Sequence, residues 1–277
     1  MKKYDFQKAW EKFGSKQNFT NWKFNLPREQ IIAEFYKLHK WRLNVWFSDP
    51  KLLIRREEFF PADYLLKAKR SVYEDIAAFS YNNTDPSYNS SSIIINNLHF
   101  LAMEAPRKHL LLDFFDLLKK YNVKCLVRLL QTHETDPYWK DILEKKEDFH
   151  VLNIPNGISL PYYFIDTWED NDGCSPEKLL KLVLDVQKNN FPLIACHCLG
   201  GVGRTGTFIA AYAIVDALRK QKIQNEKIEI SIEKIVAALS IQRFLMVAQA
   251  NQYLTLYRLV DCFRQMNFQP SSKKYQN

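Results

Sequence analysis

The sequence predicts an α/β fold, a central twisted mixed β-sheet flanked by helices, and three stretches predict it. The first is an apolar run, Phe191-Pro192-Leu193-Ile194-Ala195, followed by the glycine-rich His197-Cys198-Leu199-Gly200-Gly201-Val202-Gly203-Arg204-Thr205-Gly206 and a helix-like run from Thr207 to Lys220. That order is buried strand, loop, helix start. The second is Cys125-Leu126-Val127-Arg128-Leu129-Leu130, a buried strand entered from a helical stretch between Leu110 and Tyr121. The third is Ser175-Pro176-Glu177, a helix start with a cap, proline at the first position and an acidic first turn. That helix runs to about Asn189 and feeds the strand before Cys198.

The other elements follow in chain order. Residues 5–13 and 28–46 read as helices, the second opening after Pro27 with helix-spaced Ile31, Ile32, Phe35, Leu38, Trp41 and Val45. Its aromatics read as packing. Ser80 to Ser92 reads as a polar loop, after which Ile93-Ile94-Ile95 opens a strand. Beyond the glycine-rich loop, helices are expected over 205–220, 231–240 and from Ala248 to Gln265. The polar tail from Gln269 to Asn277 is expected to be disordered. No repeat and no long linker divides the chain. Residues 1–46 are therefore expected to be a helical extension packed on a single catalytic domain of residues 47–268.

Composition excludes several classes. The 277 residues are 47% hydrophobic and 14% aromatic, ample for a core, and only 7 glycines and 11 prolines argue against a fibrous or low-complexity chain. A net charge of +8 at pH 7 suits an anionic substrate. No dense basic stripe points to nucleic acid. Five cysteines, Cys125, Cys174, Cys196, Cys198 and Cys262, show no framework spacing, so reduced thiols in a cytosol-like compartment are expected. Cys196-His197-Cys198 lacks a second ligand pair, so no metal is expected. The start, Met1-Lys2-Lys3-Tyr4-Asp5, carries no apolar signal core, and no apolar stretch approaches membrane-spanning length. A soluble cytoplasmic monomer is expected, although export without a cleaved signal leaves no mark in a sequence.

The loop itself carries chemistry. Successive N–H groups in a glycine-rich turn point inward, and the following helix adds partial positive charge at the same spot. An anion fits there, and Arg204 can grip two of its oxygens with a planar fork. The same field favours a thiolate over a thiol, which makes Cys198 a nucleophile beneath the bound anion. A nucleotide-binding loop fits less well, because no Gly-Lys-Ser/Thr ends the stretch and it holds no lysine.

His197-Cys198, the five-residue spacing to Arg204 and the following Thr205 resemble the His-Cys-x5-Arg-Ser/Thr signature of the cysteine-dependent protein tyrosine phosphatases. The resemblance implies hydrolysis of phosphotyrosine in proteins through a phosphocysteine on Cys198. In that reading Arg204 binds phosphoryl oxygens, and the N–H groups of Leu199, Gly200, Gly201, Val202 and Gly203 line the cradle. His197 tunes the thiolate and Thr205 stabilises it as it leaves. No cofactor is implied, and the partners are phosphotyrosine-containing proteins. Thr167-Trp168-Glu169-Asp170 resembles the family's Trp-Pro-Asp loop, with Trp168 the anchor and Asp170 the acid; Glu169 departs from the proline, and Asp166 and Asp172 compete for the role. Arg70-Ser71-Val72-Tyr73-Glu74-Asp75-Ile76 is similar to the family's Asn-Arg-Tyr-x-Asp segment, implying Tyr73 as pocket wall and Asp75 as peptide anchor.

Ile95-Asn96-Asn97 and Phe100 to Pro106 resemble the strand region of the tyrosine-specific members. Glu134, ahead of Tyr138-Trp139, resembles the glutamate that buttresses the loop arginine. Arg243-Phe244-Leu245-Met246-Val247-Ala248-Gln249 to Tyr253 resembles their glutamine loop, with Ala248 where glutamine is usual. The water-positioning role could fall to Gln249, Gln252 or neither. The resemblance runs from about residue 60 to 262. A dual-specificity or lipid phosphatase shares the loop, but Leu199 to Gly203 lacks the lysines of lipid-directed relatives. A phosphotyrosine-binding module without catalysis and an interaction scaffold are the readings from other classes.

Overall fold

The computed structural model describes residues 26–48, 83–85, 88–147, 149–155, 157–223 and 229–268. The helix expected over residues 5–13, Tyr73, Asp75 and the tail from Gln269 lie outside the described residues. In chain order the elements are α1 (Arg28–Ser48), β1 (Asn83–Asp85), β2 (Tyr88–Ile95), β3 (Leu98–Met103), α2 (Leu111–Lys120), β4 (Cys125–Arg128), β5 (Leu143–Lys145), β6 (His150–Ile154), β7 (Ile158–Phe164), α3 (Pro176–Gln187), β8 (Ile194–His197), α4 (Gly203–Ile223), α5 (Ile232–Gln242) and α6 (Ala250–Phe268). The strands form one eight-stranded sheet in the order β1-β2-β3-β8-β4-β7-β6-β5. β8 is parallel to both β3 and β4, and β4 is parallel to β7, while the outer pairs are antiparallel. The fold is the expected α/β mixed sheet flanked by helices.

Strand periodicity sorts the core into two layers. Phe100, Ala102, Cys125, Val127, Ile194 and Cys196 face the larger cluster, built with α1, α3, α4, α5 and α6. Their neighbours Leu101, Met103, Leu126 and Ala195 face the other side, where α2 contributes Phe114, Phe115, Leu117 and Leu118. α2 is amphipathic: those four are buried while Leu112 is 73% exposed. α4 is different, buried without interruption from Arg204 to Val215, as a helix enclosed by sheet and helices must be. Local signals start two of the helices. Ser175 Oγ accepts from Lys178 N at 3.2 Å ahead of Pro176, and Ser231 Oγ accepts from Lys234 N at 3.1 Å. No helix among the described residues is long and apolar enough to cross a membrane.

One expectation is corrected. The polar segment read as a loop up to Ser92 contains β1 and most of β2. Ser90 and Ser91 are fully buried, yet their hydroxyls are satisfied by the Thr84 hydroxyl and by Arg243 Nη1, the latter at 2.9 Å. Tyr88 OH donates to Glu104 O at 3.0 Å. Backbone pairing to β3 and these side-chain bonds outweigh the weak strand propensity of serine and asparagine.

At the other end, α1 lies against α6 and α5. Its Arg42 is buried, donating from Nη1 to Met246 O at 2.9 Å and Val247 O at 3.1 Å. Leu245 and Val247 hold φ of 60° and 58°, a region costly for a β-branched side chain. Arg42 from outside and Val202 O from inside, which accepts Val247 N at 3.3 Å, fix that strained turn.

Candidate active site

β8 ends at His197, and the chain turns through Cys198 to Val202 before α4 begins at Gly203. Three glycines let neighbouring backbone come close. Gly201 has φ of 71°, and a Cβ there would lie 2.2 Å from Met103 O. Gly203 sits under the Gln252 amide, and Gly206 under Val247 N, where a Cβ would lie 2.9 Å and 2.5 Å away respectively. The carbonyls of Gly200 and Gly201 accept from Arg243 Nη2 at 3.2 Å and Nε at 2.9 Å. Across a trans peptide the N–H points opposite to the carbonyl, so the N–H groups of Gly201 and Val202 are turned away from Arg243. That buried guanidinium therefore shapes the cradle from behind. Burial lowers its pKa to about 10, partly offset by Glu104 and the cysteines, which leaves it cationic at neutral pH.

Arg204, on the first turn of α4, is 1% exposed and its contacts are set by distant residues. Its Nη1 donates to Glu134 Oε2 at 2.7 Å and Trp168 O at 2.9 Å; its Nη2 donates to Glu134 Oε1 at 2.6 Å and Asp170 Oδ1 at 2.9 Å. Burial pulls the guanidinium pKa down, but the Glu134 hydrogen bonds and the charges of Cys198, Glu134 and Asp170 outweigh it, so the group stays charged. Glu134 is pushed up by burial, but Arg204, the Gln131 N–H and His133 hold its carboxyl below the ordinary range. Two buried polar atoms here have no partner: Arg204 Nε and Thr205 Oγ1.

Cys198 is 3% exposed and a free thiol. His197 is fully buried, with Nε2 2.7 Å from Tyr138 OH and Nδ1 3.4 Å from Cys198 O. Burial, then the charge of Arg128, lowers His197 to about 3, so the ring is neutral. The Cys198 carbonyl can only accept, so the neutral ring carries its proton on Nδ1 and Nε2 accepts from the Tyr138 hydroxyl, which burial keeps protonated.

The three competing aspartates separate. Asp170 is on Arg204, Asp172 Oδ1 accepts from Gly173 N at 2.7 Å and Asn251 Nδ2 at 2.8 Å, and Asp166 lines an open groove of about 330 Å³ beside α3. Trp168 is buried, its Nε1 donating to Asp172 O at 2.8 Å. The two glutamines also part. Gln252 is buried against Gly203, its Oε1 accepting Gln249 N at 3.2 Å, whereas Gln249 Nε2 donates to Asn171 Oδ1 at 3.1 Å. Thus Cys198, Leu199 to Gly203, Arg204, Thr205, His197, Glu134, Trp168, Asp170 and Gln252 converge, while the Gln249 side chain bonds to Asn171 of the Trp168 loop. Arg243 and Tyr138 carry site contacts that the sequence reading did not assign. For Arg243 the available signal was an arginine set against the apolar Phe244-Leu245-Met246-Val247.

Residues 157–262 match the family model described as protein-tyrosine phosphatase. The chain is 26% identical over 194 residues to tyrosine-protein phosphatase 2 of Dictyostelium discoideum, covering 59% of this chain and 51% of that protein. It is 30% identical over 228 residues to the human receptor-type tyrosine-protein phosphatase eta, covering 70% of this chain and 16% of that one. The crystal structure of the Trypanosoma cruzi protein tyrosine phosphatase TcPTP1 matches with a TM-score of 0.64 at 20% identity, over 85% of this chain and 90% of that chain, a likeness of fold. The chain spans about half the length, or less, of these curated relatives.

Proposed function

We propose that the chain, whose residues 157–262 match the protein-tyrosine phosphatase family model, hydrolyses phosphotyrosine in proteins through a phosphocysteine on Cys198. The observation that carries this reading is Arg204, clamped by Glu134 and presenting a buried, unpartnered Nε at the start of α4 beside Thr205 Oγ1. A phosphoryl oxygen satisfies Nε, and a second takes Nη2 as Asp170 moves off it. The thiolate of Cys198 then attacks phosphorus in line. The S–P bond forms, the P–O bond to the tyrosyl ring breaks, and Asp170 gives its proton to the leaving oxygen. Loop N–H groups and Arg204 stabilise charge on the equatorial oxygens.

In the second step water attacks phosphorus while Asp170 takes its proton. The S–P bond breaks, its electron pair returns to sulfur, and the Thr205 hydroxyl donates to the thiolate. Gln252, buried beside Gly203, is the better placed of the two glutamines to hold that water, since Gln249 is engaged elsewhere. No step calls on a metal or organic cofactor. Preference for phosphotyrosine over phosphoserine rests on the resemblance at Tyr73 and Asp75.

The test is turnover of a phosphotyrosine peptide and its phosphoserine counterpart without added metal. Hydrolysis of the first alone is expected. Cys198→Ser should abolish turnover and retain peptide binding, because the hydroxyl is a poor nucleophile while the cradle persists. Near wild-type turnover by that variant would rule out the covalent route.

A further inference from the structure

The loop that carries Asp170 lies hard against the start of α6. A Cβ on Gly173 would meet Asn251 O and Thr255 Oγ1, each at 2.8 Å, so the loop backbone touches the helix. Asn251 Nδ2 donates to Asp172 Oδ1 at 2.8 Å, and Cys174 N donates to Thr255 Oγ1 at 3.2 Å. One residue before α6, Gln249 Nε2 donates to Asn171 Oδ1 at 3.1 Å. Asn171 uses the other end of the same amide on the acid: its Nδ2 donates to Asp170 Oδ2 at 3.2 Å. Its φ of 58° is a left-handed conformation that asparagine tolerates. The result is a line of contacts from Gln249 through Asn171 to Asp170, beside a clasp between Asn251 and Asp172.

We propose that Asn171 and Asn251 are positioning residues that strap the loop to α6 and set which oxygen of Asp170 carries the transferable proton. This rests on the reading of Asp170 as the general acid. The carbonyl oxygen of a carboxylic acid is the better acceptor, so the amide N–H on Oδ2 favours the proton on Oδ1 once Arg204 Nη2 has released that oxygen. Oδ1 is the oxygen now on Arg204 Nη2, at the side of the site where the phosphoryl group binds. When that group takes Nη2, Asn171 keeps its hold on Oδ2 and Asp170 stays over the leaving oxygen. The Asn251 clasp fixes the backbone from which both side chains project.

The variants are Asn251→Ala and Asn171→Gly in the full chain, glycine preserving the left-handed backbone. Each removes hydrogen bonds whose net worth corresponds to roughly a two- to tenfold effect. For a phosphotyrosine peptide, kcat should fall by that factor with KM little changed. For para-nitrophenyl phosphate, whose leaving group needs no proton, kcat should hold. Amide exchange across residues 169–174 should accelerate by a similar factor in Asn251→Ala. Equal losses on both substrates, or no loss on the peptide, would overturn the positioning role. If the wild-type protein turned over neither substrate, the phosphatase reading itself would fail. The strap would then be judged by exchange alone, and unchanged exchange in Asn251→Ala would overturn it.

Discussion

Glu134→Gln is the sharpest perturbation of the arginine clamp. Three donors converge on its two carboxylate oxygens: Arg204 Nη2 on Oε1 at 2.6 Å, and Arg204 Nη1 at 2.7 Å with Gln131 N at 2.6 Å on Oε2. Glutamine keeps the shape but offers one oxygen and an NH2 group. Whichever way the amide faces, an N–H meets an N–H, and at least one charge-assisted bond to buried Arg204 is lost. Such a bond is worth about 1.5–3 kcal/mol, which translates to about a ten- to hundredfold loss of kcat/KM. Arg204 would hold the phosphoryl group of every substrate, so the loss should be the same for a phosphotyrosine peptide and for para-nitrophenyl phosphate. The acid side of the stability curve gives a second reading. The Glu134 carboxyl is held below its ordinary value of 4.5, so its contribution is present above that pH and lost as pH falls through the depressed folded value. The variant lacks that part of the acid loss. Steady-state kinetics on both substrates and denaturant midpoints from neutral to acid pH make the assay. A variant within twofold of wild type on both substrates would show that Arg204 does not depend on Glu134.

Asp170→Ala should slow a phosphotyrosine peptide by about two to four orders of magnitude, the range for losing general acid–base help. It should affect para-nitrophenyl phosphate far less, and the alkaline limb of the pH–rate profile should flatten. If Asp172→Ala gave that pattern instead, the acid would be Asp172. His197 is depressed from 6.5 to about 3, so its stabilising contribution is complete above pH 6.5 and is lost as pH falls toward about 3. Unfolding free energies from denaturant titrations should fall with falling pH by up to about 1.4 kcal/mol per pH unit between those limits, a slope absent in His197→Gln. Parallel curves for the two proteins would mean that His197 is not held neutral by the fold.

What the sequence determined by itself is local. Cys198, the loop glycines and Arg204 lie within one short turn, so their meeting needs no tertiary information beyond a strand that ends and a helix that begins. The Ser175 cap before Pro176 and the Ser231 start of α5 are likewise written in adjacent residues. Tertiary structure decided the contacts that make this turn a site. Glu134 reaches Arg204 across a sequence separation of 70, and Arg243 reaches Gly201 O across 42. The resemblance named Glu134, but nothing in the chain around Arg243 states which carbonyls it will serve. The start of β2, ahead of the expected strand at Ile93-Ile94-Ile95, was illegible for a related reason. Its Tyr88-Asn89-Ser90-Ser91-Ser92 start is polar, and only pairing to β3 and a buried arginine from beyond α5 make a strand stable there. The Trp168 loop shows the same limit. The resemblance favoured Asp170 with Asp166 and Asp172 as competitors, and the fold separates them because Asn251 claims Asp172 while Arg204 faces Asp170. Backbone propensity and short-range spacing are properties of neighbouring residues. The partner of a buried charge is chosen by whichever polar group the fold brings within hydrogen-bond reach.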